Sequence, residues 1–144
     1  MKTIIIISGH GNYATGLQSS IELLAGFNEA VHYLDLTGDD TSLTLKHKIE
    51  QVIRNNPGSP VLFICDILGG TPFKVSVEVA VNSDYMEVVA GCNIGSILEC
   101  VFHKDKMTVR ELADSIIDSS KKSTIRFEKT AVGPACERKA AEGI

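Results

Sequence analysis

The stretch Val61-Leu62-Phe63-Ile64-Cys65-Asp66-Ile67-Leu68-Gly69-Gly70-Thr71-Pro72-Phe73 decides the fold. Its first five residues are wholly apolar, so the strand predicted over Val61–Asp66 suits burial on both faces, as in a parallel sheet. Gly69-Gly70 make the turn. Thr71 is expected to be a helix N-cap, with Pro72 at the first helical position. The helix predicted from Phe73 to about Val81 is rich in valine, which weakens helix propensity. Its place between two strands nevertheless demands a crossover, and helices supply crossovers.

The same grammar extends outward in both directions. Upstream, Thr3 to Ser8 is β-branched and almost continuously apolar, a second doubly buried strand. Gly9 and Gly11 follow it, and Leu17, Ile21, Leu24 and Ala25 then recur at helical spacing up to a closing Gly26. Ala30 to Leu36 reads as a strand. Asp40 or Thr41 can cap the helix carrying Leu43, Leu45, Ile49, Val52 and Ile53, which Pro57-Gly58 ends. Downstream, Tyr85 to Ala90 is a strand, Gly91 to Gly95 a loop, and Ser96 to Phe102 a short helix. Thr108 caps a further helix through Ser119. Ser123 to Lys129 alternates as a half-exposed strand does. Residues 131–144 lack an apolar period and are expected to form a mobile tail. Four strand–helix repeats predict an α/β fold, an open, doubly wound and mostly parallel sheet with right-handed crossovers.

Composition limits what such a domain does. The chain has 144 residues, 44% hydrophobic and 22% charged, which fits one soluble domain, expected over residues 1–130. A formal net charge of −4 leaves no basic excess for a nucleic-acid backbone, so no nucleic-acid partner is expected. Cys65, Cys92, Cys100 and Cys136 show neither a CxxC nor zinc-ligand spacing, so no metal and no disulfide framework are expected. The apolar run Ile4 to Ile7 is too short for a signal peptide or a membrane span, and a reduced, cytoplasmic setting is expected.

In open α/β sheets, ligands bind beyond the carboxyl ends of the strands, where strand order reverses. The residues there are Ser8 to Asn12, Asp35 to Asp40, Asp66 to Thr71 and Gly91 to Gly95. His10 stands between two glycines that leave room for a large partner. If the first and third strands are neighbours, Asp66 lies within reach of His10. A carboxylate on one ring nitrogen fixes the tautomer and leaves the other nitrogen as a nucleophile. Gly69, Gly70 and Thr71 open a helix whose free amides, dipole and Thr71 hydroxyl would make a phosphate-sized cradle without a P-loop. His32, His47 and His103 read as structural or solvated, and His103-Lys104-Asp105-Lys106 as a solvated loop.

Two other readings compete. Gly9-His10-Gly11-Asn12-Tyr13-Ala14 matches Gly-x-Gly-x-x-Gly/Ala after a strand, and Asp35 ends the second strand near the ribose-binding distance, so a small dinucleotide-binding domain is the alternative. Against it, a histidine in the tight turn would crowd a pyrophosphate. A non-catalytic flavodoxin-like sensor leaves the convergence of His10, Asp66 and Thr71 unexplained.

Three blocks carry a family resemblance. Ile7-Ser8-Gly9-His10-Gly11, Asp66-Ile67-Leu68-Gly69-Gly70-Thr71-Pro72-Phe73 and Val89-Ala90-Gly91-Cys92-Asn93-Ile94 with Leu98-Glu99 fall in order at three strand ends. Over about Lys2 to Lys129 the chain resembles the enzyme IIA component of the mannose-type (mannose/fructose/sorbose/N-acetylgalactosamine) sugar phosphotransferase system. The resemblance implies a phosphotransferase subunit without a cofactor. His10 would take the phosphoryl group on Nε2, Asp66 would hold Nδ1, and Thr71 with Gly69 and Gly70 would bind the phosphoryl oxygens. It implies phospho-HPr as donor, a IIB component as acceptor, and a IIC/IID membrane permease behind it. It also implies a homodimer that exchanges its last, antiparallel strand, matched by Ser123 to Lys129. Lys74 stands where Asn often follows Pro-Phe, and Gly95-Ser96 replace a Pro-Met-like pair, both near the expected partner surface. With no Ala/Pro linker before Ile144, a stand-alone IIA subunit is expected.

Overall fold

The computed structural model describes residues 2–129. Its elements run β1 (Ile4–His10), α1 (Tyr13–Ala25), β2 (Val31–Leu36), α2 (Ser42–Asn55), β3 (Val61–Cys65), α3 (Thr71–Ala80), β4 (Met86–Ala90), α4 (Ile94–His103) and α5 (Val109–Ser123). The four strands lie in the order β2-β1-β3-β4 and every pairing is parallel. The chain therefore winds outward from β1 to β2, then returns across β1 to build β3 and β4 on the other side. The reversal falls between β1 and β3, as the neighbouring of first and third strands requires.

The isoleucine run is explained by burial on both sides. Ile5 and Ile7 join Leu62 and Ile64 in an apolar cluster that includes Ile21 of α1, Ile97 of α4 and Leu112 and Ile116 of α5. Ile4 and Ile6 join Phe63 and Cys65 in a second cluster with Leu45 and Ile49 of α2 and Val75 of α3. Alternate side chains of one strand thus feed two cores, which a half-exposed strand could not do.

Several expectations shift locally. The N-cap of α3 is Gly70, not Thr71, and no side chain caps the helix. Thr71 takes the first helical position and Pro72 the second, where a missing N–H costs nothing. Helix α4 starts earlier than Ser96 because Asn93 caps it, its side chain accepting from Ser96 N at 2.9 Å. Helix α5 continues to Ser123, capped at its start by a Thr108–Glu111 box and carrying Lys121 and Lys122 near its carboxyl end. Residues 124–128 belong to no strand among the described residues, and Ile125 and Phe127 are exposed. The tail 131–144 and Cys136 lie outside the described residues, while Cys65, Cys92 and Cys100 are buried free thiols.

The run from His103 to Lys106 is not simply a solvated loop. His103 closes α4, and Lys104 is buried at 2% exposure, donating to Thr3 O and to both carboxylate oxygens of Asp105. No helix among the described residues is long and apolar enough to cross a membrane.

His32, on the edge strand β2, carries a pH-dependent cost. Its Nε2 is buried without a hydrogen-bond partner among the described residues, and burial lowers its pKa below the ordinary 6.5. The folded state therefore binds the proton less readily than the unfolded chain. Stability is unaffected above the ordinary value, falls as pH drops below it, and levels off below the lowered folded value. The carboxylates with lowered values, Glu29, Asp40, Asp66 and Asp105, act in a separate window below the ordinary carboxylate range of about 4. His32→Phe should shrink the loss of Tm between about pH 7.5 and about pH 5. An unchanged loss in that variant would remove His32 as its source.

Candidate functional site

The sheet register brings the two predicted residues together. Ser8 pairs with Cys65, so the residues just past that pair, Gly9 and His10 on one side and Asp66 on the other, share one rim. Asp66 N donates to Ser8 O at 3.2 Å. The Asp66 carboxylate then turns back on β1. Its Oδ2 accepts from His10 N at 2.9 Å and lies 2.7 Å from His10 Nδ1. Its Oδ1 accepts from Ile67 N at 2.8 Å. An ionised carboxylate only accepts, so Nδ1 is the donor and a neutral ring keeps its lone pair on Nε2.

Exposure divides the pair. The His10 side chain is 46% exposed and that of Asp66 only 12%. The ring meets solvent while its carboxylate is sheltered behind it. Burial pushes the Asp66 carboxyl up, but the hydrogen bonds from His10 N, His10 Nδ1 and Ile67 N outweigh it and hold the group below its ordinary value. At neutral pH an anion thus backs the imidazole.

The glycine turn completes the rim. Gly69 has φ +79°, which favours glycine, and Gly70 N reaches back to Ile67 O at 3.4 Å. Gly70 sits directly against the imidazole: a Cβ there would lie 2.9 Å from His10 Cε1. One residue later α3 begins. The N–H groups of Thr71 and Phe73 have no intrahelical acceptor, and the positive end of the helix dipole faces the same rim. The Thr71 hydroxyl, freed from capping, makes no hydrogen bond among the described residues. The arrangement offers a ring nucleophile beside anion-binding amides.

The structure gives Asp35 another occupation than ribose binding. Its carboxylate accepts from Thr15 N at 3.0 Å and Thr15 Oγ1 at 2.5 Å, anchoring the first turn of α1. The other histidines stand apart: His32 within β2, exposed His47 on α2 and His103 at the end of α4. A concavity of about 300 Å³ between α4 and α5 is lined by Glu99, Ser115, Asp118, Ser119, Lys122 and Ser123, none of them part of this rim.

Sequence reasoning missed Tyr13 and Asn93. The Asn93 backbone N–H donates to Ser120 Oγ at 3.0 Å, and its side-chain amide donates to Ser120 O, Ser123 Oγ and Thr124 Oγ1. It ties the loop after β4 to the end of α5, and Gly91 N in the same loop donates to Cys65 O, next to Asp66. The signal was an Asn three residues before Ser96, a capping pattern overlooked among small residues.

A family model described as "PTS system fructose IIA component" matches residues 4–117. The chain belongs to that family. It is 32% identical over 106 residues to the "PTS system mannose-specific EIIAB component" of Escherichia coli, covering 73% of this chain and 33% of that protein. The chain therefore spans about a third of the length of this relative. It is 27% identical over 120 residues to the "PTS system fructose-specific EIIA component" of Bacillus subtilis, covering 83% of this chain and 82% of that one. The crystal structure of phosphotransferase system component EIIA from Streptococcus agalactiae matches with a TM-score of 0.80 at 30% identity, over 87% of this chain and 97% of that chain. These relatives make the chain a phosphotransferase-system component of the IIA kind, and the dinucleotide-binding alternative is not favoured.

Proposed function

We propose that this protein is a phosphohistidine carrier that accepts a phosphoryl group from phospho-HPr on His10 and passes it to a IIB component for sugar uptake. The observation that carries the reading is the 2.7 Å approach of His10 Nδ1 to Asp66, with the ring half-exposed and its other nitrogen unencumbered. In the acceptance step, the Nε2 lone pair attacks the phosphorus of the donor phosphohistidine. A new Nε2–P bond forms, the donor N–P bond breaks, and the donor imidazole leaves with its electron pair. His10 keeps its proton on Nδ1 throughout, and the Asp66 carboxylate offsets the positive charge the ring gains. Amides near Gly69, Gly70 and Thr71, with the Thr71 hydroxyl, stabilise the equatorial oxygens. The reverse of these steps delivers the group to IIB.

Exchange between two imidazoles is nearly isoenergetic, so alignment rather than driving force is the protein's task. No metal or cofactor enters the scheme. Residues 1–130 act as the single IIA domain, in the cytoplasm beside a IIC/IID permease. Two chains associate by exchanging the segment that follows α5, Thr124 to Lys129, as an antiparallel strand, since the expected first residue Ser123 belongs to α5. The exposed, alternating Ile125 and Phe127 support this, as does β4, which has one ladder side unpaired among the described residues. The relatives are named for mannose and fructose, so sugar choice belongs to the permease rather than to this rim.

The test is direct. Incubation with phosphoenolpyruvate, enzyme I and HPr should yield one acid-labile, alkali-stable phosphoryl group per chain. Phosphorus–nitrogen coupling in NMR spectra should place it on His10 Nε2. Phosphorus on Nδ1, or on any other residue, would refute the scheme.

A further inference from the structure

Helix α1 begins only three residues after His10, yet Asn12, its N-cap, lends no side-chain hydrogen bond. The first turn is instead held from the neighbouring strand, through the two bonds from Thr15 to Asp35. That turn fixes Tyr13. A Cβ built on Gly9 would lie 2.4 Å from Tyr13 Cδ1, 2.6 Å from Cγ and 2.8 Å from Cβ, so the aromatic side chain occupies the place where any other residue would carry its own. Tyr13 is half-buried and packs against the cluster that contains Ile7 and Cys92. Burial, with a smaller push from the Asp66 charge, raises its phenol to about 12, so the side chain stays neutral.

The peptide beneath that ring matters. The Gly9–His10 N–H is one of the two His10 donors that grip Asp66 Oδ2. If this peptide turns, the imidazole loses its alignment with the carboxylate. We propose that Tyr13 is a positioning residue: its ring, seated on Gly9, presses the Gly9–His10 peptide toward Asp66 and so keeps the imidazole oriented with Nε2 outward. The inference rests on the phosphocarrier reading for its kinetic consequence. Its structural content, the seating of Tyr13 on Gly9 behind His10, stands apart from that reading. The phenolic hydroxyl makes no hydrogen bond among the described residues, so the ring and not the hydroxyl is the working part.

The test uses the full chain and two readouts. Nitrogen NMR of the His10 imidazole reports which ring nitrogen bears the proton, with no phosphoryl donor present. Transfer from phospho-HPr is resolved into kcat and KM. Tyr13→Phe should match wild type in both. Tyr13→Ala should raise the Nε2–H tautomer and lower kcat about tenfold at nearly constant KM, as a small misplacement of a reacting group does. Gly9→Ala, which drives a methyl into the ring, should act in the same direction. The double variant Gly9→Ala/Tyr13→Ala should recover transfer relative to Gly9→Ala, because the methyl then has room. Should Tyr13→Ala fail to fold, Gly9→Ala and Gly9→Ala/Tyr13→Leu carry the same comparison. A wild-type tautomer and rate in Gly9→Ala, or strictly additive losses in the double variant, would overturn the proposal. A wild-type protein that takes no phosphoryl group would instead sink the carrier reading, and the tautomer measurement would still decide the role of Tyr13.

Discussion

Replacing His10 with alanine should abolish phosphoryl acceptance while leaving the fold intact. The expected result is no acid-labile phosphoprotein after prolonged incubation with phosphoenolpyruvate, enzyme I and HPr, a loss of at least about 10³-fold, as when an acting nucleophile is removed. No other imidazole is placed to take over. His32 has its Nε2 buried in β2, His47 projects from α2, and His103 closes α4. The fold should tolerate the change because the ring is half-exposed and packs into neither core cluster. Asp66 loses one donor but keeps His10 N and Ile67 N, both backbone groups that survive the substitution. Loss of one such hydrogen bond costs about 1 kcal/mol. Circular dichroism and a melting curve near those of wild type, with phosphorylation absent, are the predicted pair of observations. A persistent acid-labile phosphoprotein would disprove the assignment of His10.

The His10–Asp66 pair meets because of where the sheet reverses. Each partner leaves the end of a fully buried strand, so neither can drift without disturbing a core. β1 contributes Ile4 to Ile7 and β3 contributes Val61 to Cys65, all buried. The His10 imidazole is then the first side chain of β1 to meet solvent. Rigid elements carry the geometry, and the proposed acceptor face needs only a turn of glycines and one helix N-terminus to complete it. The turn also sets a steric ceiling. A Cβ at Gly70 would lie 2.9 Å from His10 Cε1 and 3.0 Å from Ile67 Cγ1, so the imidazole or the turn would have to shift.

The central strands were legible because continuous apolar runs can satisfy only a doubly covered sheet. Ile4 to Ile7 and Val61 to Cys65 could belong to little else, and His10 with Asp66 followed from their adjacency. The cap of α3 was misread because Thr is a strong N-cap type, whereas Pro72 in the first turn moved the boundary to Gly70. Asp35 looked like a ribose ligand from its position at a strand end, yet it binds Thr15 from another element. Such a bond depends on strand neighbours, which local spacing does not state. Tyr13 escaped notice for the same reason. Its contact is with a glycine, and only the turn between β1 and α1 brings them together. Lys104 was misjudged because a charge run between elements is normally solvated.

That lysine carries the largest expected effect on stability. Thr3, just before β1, is buried, and its backbone groups are satisfied by side chains rather than by a neighbouring strand. Its N–H donates to Asp105 Oδ1 at 2.9 Å and its carbonyl accepts from Lys104 Nζ at 2.9 Å. Lys104 and Asp105 close the arrangement with two bonds of 2.8 Å. Burial raises the Asp105 carboxyl, but Lys104 and the Thr3 N–H outweigh it, so the group is ionised more readily than usual. Its contribution is therefore complete above the ordinary Asp range and lost as pH falls through the lowered folded value. Lys104→Met keeps the apolar stem and removes the ammonium. Asp105, half-exposed, can recover water, but the Thr3 carbonyl loses its donor. An orphaned buried acceptor costs about 1–3 kcal/mol, and a broken buried pair more, so a loss of about 3 kcal/mol is expected. For a domain of this size that is a drop of roughly 6–12 °C in Tm. Phosphoryl acceptance below the melting range should be unchanged, since the clamp grips the start of β1 and His10 lies at its far end. Urea unfolding at neutral pH measures the difference. A change within about 0.5 kcal/mol, the range of ordinary surface substitutions, would mean that the clamp contributes nothing to folding.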